Sequence, residues 1–512
     1  MIQVHYLLLA DFWRHHPALF YGIAVLLGSS LALYGINIPW FCCFVLIYLL
    51  PFCGRYSHYL QVCVRTLLAI GLGVASFSLT HARYLFPEAP LIKEGIADVE
   101  ITSVVATKTP FGPVWNYKGV LRTFTVDGVI AAKGFPVRMT ISQEKQVSRP
   151  AVGIRYQFES TLKETVQGGY ALSPFKGRPW IPVEHMSHLS EWRFAAKSGV
   201  RQHLESSVRD PHINAFLSGI ITGEFDDRLL AFDLGRFGLQ HLMAISGFHF
   251  SILSALFGFF LALLFSRKIA AVVLIALMTG YFLFLGDSPS VTRSWIAIVL
   301  GFGAVFVERQ SIALNSLGVG LMTVVIVDPL AMQEIGFQFS FGVTASILLL
   351  SAPCERLLRK AFTKRHLSEV VQMDRWDQHG YCFLHWLRQA LALGAAVNLV
   401  ALPLTLYHFH KFPWMGLIYN LFFPPLVSIS MLLLILAFIA APLFPYVASQ
   451  LHLLNEEYTG MLLNFTSHLP KFFDVAVWRT EGVMPEVLFM YLLIVFVLGA
   501  YFKQRHSSEQ YL

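Results

Sequence analysis

The chain has 512 residues, 55% of them hydrophobic and 13% charged, with a mean hydropathy of +0.58. That balance excludes an ordinary soluble domain, and several apolar runs reach the roughly 20 residues that cross a hydrocarbon layer. The net charge of +7 is mild and mostly accounted for by basic cytoplasmic loops, so charge alone does not argue for nucleic acid.

The pattern is that of a polytopic α-helical membrane protein with a small extracytoplasmic all-β (OB-like) domain. Three apolar runs come first, near 17–35, 38–53 and 62–80, and form an N-terminal membrane segment, residues 1–88. Trp13-Arg14-His15-His16 precedes the first run and no small-residue cleavage site follows it, so this helix reads as a retained anchor. The six cysteines (Cys42, Cys43, Cys53, Cys63, Cys354, Cys382) lie mostly in or beside apolar runs, without metal spacing or a paired framework.

From 89 to 185 the chain turns polar and alternating. Residues 98–105, 119–126 and 135–141 alternate as strands do, punctuated by Thr109-Pro110-Phe111-Gly112-Pro113, Asp127-Gly128 and Lys133-Gly134. Short, evenly spaced strands predict a small closed or nearly closed OB-like barrel, whose strand faces and loops suit a nucleic-acid strand. Phe111, Trp115, Tyr117, Phe124, Phe135, Tyr156 and Phe158 interleave with basic residues, of which Lys108, Lys118, Arg122, Lys133 and Arg138 are the candidate phosphate contacts of a nucleic-acid strand. Alternation sends half or more of those aromatics into the core, so packing explains any one of them at least as well.

Residues 186–238 read as amphipathic soluble or interfacial helices, including 195–208 and 211–232. Spans resume near 240–265, 269–286, 291–307, 312–327, 335–352 and 389–407, then a long apolar region at 413–444 and a last span near 484–502. These make a membrane channel domain, residues 239–505. With the N-terminus inside, 55–65, Arg267-Lys268, Glu308-Arg309 and the basic segment 355–388 fall on the cytoplasmic side and the β domain outside, as the positive-inside rule requires. Within 413–444, a single span would put Lys503-Gln504-Arg505-His506 outside. A hairpin or re-entrant element broken at Pro424-Pro425, the favoured reading, puts that tail inside.

The stretch 239–260, LQHLMAISGFHFSILSALFGFF, is apolar enough to span yet carries His241, Ser246, Gly247 and His249. Polar groups at membrane depth usually face a bundle interior or a water-filled path, and Gly247 lets a neighbouring backbone approach or the helix kink. The competing reading is a helix start at the interface with both histidines wetted. Their spacing puts His241 and His249 on one side of a helix, and without a cysteine or acidic ligand nearby they make no metal site.

HLMAISGFH (241–249) resembles the HLLAISGLH core of the ComEC competence family, inner-membrane channels that admit single-stranded DNA during natural transformation. SPSVTRSWIAIVL (288–300) is similar to the family's pSvxRA element, and DPLAMQEIGFQFSFGVTASILLL (328–350) to its DPxxLxxxGFqLSf element. LVALPLTLYHF (399–409) and LIYNLFFPPLVS (417–428) resemble its tlPlxxyhF and aNlLavPlvs pair. Ordered motifs are more specific than any single one, and three spans followed by a β domain match the family's domain order. Ser294 replaces the common Ala after the arginine, and Phe248 a Leu before His249.

The resemblance implies import of single-stranded DNA, offered by the β domain and passed along His241, Ser246, Gly247, His249, Ser290, Arg293, Gln338, Ser340 and Asn420. Such a path needs cations for phosphates and polar groups that replace hydration. Arg293, in the donor-rich run 287–293, is the leading phosphate contact; a snorkelling interfacial arginine is the plain alternative. Asn398 reads as glue between helices, Asn420 as the mark of a broken helix lining a cavity, and Asp328 as a cap. Trp376, His379, Tyr381, His385, Trp386 and Arg388 suit an interfacial helix on anionic lipid.

Many family members end in a metallo-β-lactamase-like domain. This chain runs to Leu512, and His408-Phe409-His410 lacks the downstream Asp-His of a binuclear site. No metal, cofactor, nuclease or other enzyme activity is expected. Without a P-loop, the driving force falls to a separate cytoplasmic ATP-driven motor. An extracytoplasmic DNA receptor and the bilayer are the other expected partners, with a homo-oligomer left open. The alternative function is a secondary transporter or exporter of a small or lipid-like substrate, marked by a closed midplane site. An intramembrane hydrolase using Ser246 and His249 lacks an orienting acid and an oxyanion hole.

Overall fold

A computed structural model describes residues 2–35, 59–82, 85, 93–109, 112–143, 149–165, 169–185, 188–225, 227–243, 247–308, 312–360, 363, 365–467 and 477–510. The chain opens with α1 (Ile2–His15), α2 (Pro17–Tyr34) and α3 (Tyr59–His81). The expected run at 38–53 lies outside the described residues. Pro17 starts α2 and Gly35, in the left-handed region, ends it.

Seven strands follow: β1 (Lys93–Thr109), β2 (Gly112–Val126), β3 (Val129–Ala132), β4 (Pro136–Ser142), β5 (Ile154–Glu164), β6 (Tyr170–Pro174) and β7 (Ile181–His185). Neighbours run β1-β2-β4-β6-β5, and β5 returns to pair with β1, so five strands close on themselves. Among the described pairings of this sheet, only β4–β6 is parallel. Asp127 and Gly128 both take positive φ, the geometry of a two-residue hairpin turn. Tyr117, Phe124, Phe135, Tyr156 and Phe158 are buried in the barrel core, where alternation sends them. Trp115 is half-buried, and Phe111 lies outside the described residues.

Next come α4 (His188–Ser207), α5 (Pro211–Thr222) and α6 (Arg228–Arg236). The expected helix over 211–232 is two helices: Gly223 closes α5 in the left-handed region, and Asp227 caps α6 through the Leu229 and Leu230 amides. A 3-10 turn (Gln240–Leu242) leads to α7 (Gly247–Leu264), α8 (Arg267–Leu285), α9 (Pro289–Gly303) and α10 (Ala313–Val327). A second 3-10 turn (Pro329–Gln333) precedes α11 (Ile335–Leu358), α12 (Leu367–Val371) and α13 (Arg375–Phe409). The chain continues through β8 (Lys411–Pro413), α14 (Gly416–Ala440), α15 (Pro445–Ser467), β9 (Val477–Arg479) and α16 (Pro485–Gln510). Among the described residues, eight helices (α2, α3, α7, α8, α11, α13, α14, α16) are long and apolar enough to cross a membrane.

Two expectations are corrected. The region 413–444 does not break at its prolines: α14 runs unbroken through Pro424 and Pro425. Proline removes its own N–H, so Pro424 and Pro425 leave the Asn420 and Leu421 carbonyls without their usual helical donors, a loss that membrane helices tolerate. The returning element is instead α15, whose Asn455 amide donates to Ser430 O of α14 and whose Thr459 hydroxyl lies 2.9 Å from that of Ser430. The second correction concerns the histidines. His241 lies in the 3-10 turn and His249 in α7, so they do not share a helix face.

The bundle has two distinct ends. At one, Ala18 N–H of α2 donates to Asn315 Oδ1 of α10, and Asn315 Nδ2 donates to His15 O. The basic segment after α11 lies at this end. The described tail returns beside it, with Arg356 on Phe502 O and Lys503 on Leu348 O. At the other end, Ser76 near the end of α3 donates to Ile326 O of α10. The β domain joins there: Leu85, just after α3, pairs with Lys133, and Arg193 of α4 donates to Leu283 O in the last turn of α8.

Candidate functional site

Four helices meet at Arg293. It sits in the second turn of α9, which Pro289 opens at the β-domain end. Its Nε donates to Ser340 Oγ of α11 at 2.8 Å and its Nη2 reaches Ser294 Oγ at 3.4 Å. Ser294 in turn donates to Ser290 O at 2.7 Å. A Cβ built on Gly247 would lie 2.9 Å from Arg293 Nη2 and 3.2 Å from Ser294 Oγ, so the guanidinium rests on the bare first residue of α7. The arginine stem runs beside Gly320 of α10, where a Cβ would stand in ordinary contact, 3.6 Å from Arg293 Cγ.

Among the described residues no carboxylate pairs with Arg293. Its partners are neutral hydroxyls. A helix N-terminus carries partial positive charge and free amides, and the start of α7 lies against this cation. The two together make an electropositive junction suited to an anion.

His249, 1% exposed, sits in the first turn of α7. His241 is within electrostatic reach of it and has a backbone hydrogen bond with Gly238. The structure thus gathers Gly247, Ser290, Arg293 and Ser340, with His249 and His241 close by. Ser246 lies outside the described residues.

Two further expected path residues have no hydrogen bond to Arg293 among the described residues. Gln338 bridges helices: its Nε2 donates to Met332 O, and its Oε1 lies 2.7 Å from His408 Nε2 on α13. Asn420 lies on α14, with its Oδ1 buried and unpartnered among the described residues. It marks an unbroken helix, and nothing places it beside Arg293. Sequence reading missed Ser294 as a hydrogen-bonding partner; its spacing of four from Ser290 was the available signal.

In the β domain, Lys118 and Arg138 stand directly opposite each other on β2 and β4, both exposed. Both also act electrostatically on Glu334, which precedes α11. Surrounding protein and, secondarily, Asp328 raise the Glu334 carboxyl above its usual range, while Lys118 and Arg138 oppose that shift. Arg122 is paired with Glu100, which lowers its availability to a phosphate. Lys133 is exposed. Lys108 lies on β1, and its side chain is outside the described residues. Among the described residues no group of three metal-ligating side chains occurs.

The family model described as "Competence protein" matches residues 230–505. ComE operon protein 3 of Bacillus subtilis (strain 168) is 23% identical over 299 residues, which are 55% of this chain and 35% of that relative. The chain therefore matches about a third of the length of that relative. No solved structure matches.

Proposed function

The chain belongs to the competence protein family, and from that premise we propose that it is an inner-membrane channel for single-stranded DNA. The observation that carries the reading is Arg293: a cation among four packed helices, held by hydroxyls and, among the described residues, by no carboxylate, against the N-terminus of α7. A charge placed so is costly unless an anion or water visits it, and a phosphate backbone is such an anion.

The β domain supports an extracytoplasmic position. It joins the bundle at the end opposite the basic segment 355–388, which the positive-inside rule assigns to the cytoplasm. Its five-strand closure, with one parallel pair between the third and fifth barrel strands, supports an OB-like fold. DNA would meet Lys118 and Arg138 before Arg293. A separate motor pulls the strand, since the sequence has no P-loop, and the chain itself acts as conduit and not as enzyme.

The test is import of labelled DNA into cells carrying wild type, a deletion, Arg293→Ala or Arg293→Lys, with DNA bound outside distinguished from DNA in the cytoplasm. The deletion and Arg293→Ala should bind DNA at the surface but fail to internalise it, with Arg293→Lys retaining part of the rate. Normal import in the deletion would overturn the reading in favour of a small-substrate transporter.

A further inference from the structure

A cavity of about 350 Å³ separates the β domain from α4. One wall is a single rung of the β1–β2 ladder, Ala106 opposite Trp115. The other is one stripe of α4: Phe194, Lys197, Ser198, Arg201, Gln202 and Glu205. Their three- and four-residue spacings place them on one face. A helix held to a sheet by packing alone presents apolar side chains along such a stripe. Here only Phe194 is apolar, and the space is left open.

The floor of the cavity is tied down. Lys197, 7% exposed, donates to Glu224 Oε1 at 2.9 Å and to Leu285 O at 3.0 Å. Arg201 donates to Glu224 Oε2 at 2.8 Å. One carboxylate thus serves two cations. Glu205, also lining the cavity, brings the two cations and two carboxylates to balance, so the lining does not select a free phosphate. For a ligand the site offers the aromatic Trp115, edge-on to Phe194 at 6.0 Å, and the hydrogen-bonding groups of Ser198, Gln202 and Glu205. Gln202 and Glu205 are exposed, which opens the cavity on their side. A planar, neutral ligand with donors and acceptors along its edge fits that combination, and a nucleobase has this chemistry.

We infer that this cavity binds a nucleobase, stacked at Trp115 and contacted at its edge by Gln202 and Ser198. The inference rests on the DNA reading above and extends it to a site between the barrel and α4. The base comes either from a free nucleotide or from a strand.

The test uses the full chain in lipid nanodiscs, with fluorescence anisotropy of a labelled oligothymidylate and of an abasic oligomer of equal length. Wild type should prefer the base-bearing oligomer by about fivefold or more, the low end of what one stacked base contributes. Trp115→Leu, and independently Ser198→Phe, which fills the cavity from the helix side, should abolish that preference and leave abasic binding unchanged. Displacement of the base-bearing oligomer by thymidine monophosphate in wild type, and not in the variants, supports the pocket with free nucleotide as a source. A preference that thymidine monophosphate does not displace supports it with the strand as the source. Equal binding of both oligomers to wild type, or a preference retained in both variants, overturns the pocket and leaves the DNA reading standing. Failure of wild type to bind either oligomer overturns both.

Discussion

Substituting Gly318 by alanine should loosen the docking of the N-terminal helices onto the rest of the bundle. A Cβ at this position in α10 would lie 2.2 Å from Leu19 N, 2.3 Å from Ala18 C and 2.4 Å from Ala18 O. These are backbone atoms at the start of α2, so no rotamer change relieves the clash. Ordinary contact begins near 3.4 Å, so α2 must withdraw by about 1.2 Å. That shift would stretch the two 3.1 Å hydrogen bonds that join Asn315 to Ala18 and His15 beyond useful length. Overpacking costs about 1–3 kcal/mol, and each lost hydrogen bond about 0.5–1.5 kcal/mol net. The sum is about 2–6 kcal/mol. The assay is unfolding of the purified chain in mixed micelles titrated with denaturing detergent. Gly301→Ala in α9, where an added Cβ meets nothing within 4 Å, is the control. It should be neutral or stabilise by up to about 1 kcal/mol through helix propensity. Equal behaviour of the two substitutions would refute the close-contact argument.

Two further outcomes follow from buried polar groups. Glu224→Gln leaves Lys197 and Arg201 without their shared carboxylate and should cost about 3 kcal/mol in the same unfolding assay; Lys197→Met added to it should recover part of the loss, and no change in either variant would contradict the pairing. Burial raises the Tyr117 hydroxyl well above the usual tyrosine range, with Arg149 opposing, and burial raises Tyr156 as well. The native barrel keeps protons that the unfolded chain releases, so their contribution is complete below about pH 10 and is lost as pH rises above it. Tyr117→Phe should therefore flatten the alkaline fall of the unfolding midpoint, and an unchanged slope would count against a buried, protonated Tyr117.

Most spans are legible because an apolar window is a local property of the chain. The element that escapes, α15, shows why composition has limits. His452, Asn455 and Thr459 are buried in it, facing His203 and Ser430, so its polar stripe lowers the hydropathy while still packing inward. The barrel was legible through alternation and turn residues, but its closure by β1–β5 pairing joins residues too far apart for periodicity to reveal. Gly247, Arg293 and Ser340 stand out in three separate motifs, yet no spacing says that they converge. Lys197 and Glu224, 27 residues apart, carry no local pattern at all. Ser294 differs from its family pattern in sequence, and only the fold shows its hydroxyl beside the arginine.

The attachment points of the barrel have a mechanical consequence. β1 begins at Lys93 opposite Leu162, and β7 ends at His185 opposite Ile154. The chain therefore comes in from α3 at one end of β5 and leaves toward α4 at the other. Tension between those helices loads the β1–β5 and β5–β7 ladders lengthwise, so many hydrogen bonds share the force at once. Attachment at a single end would let the same bonds peel apart one at a time. The barrel is thus mounted as a strut, with its two connections at opposite ends of β5.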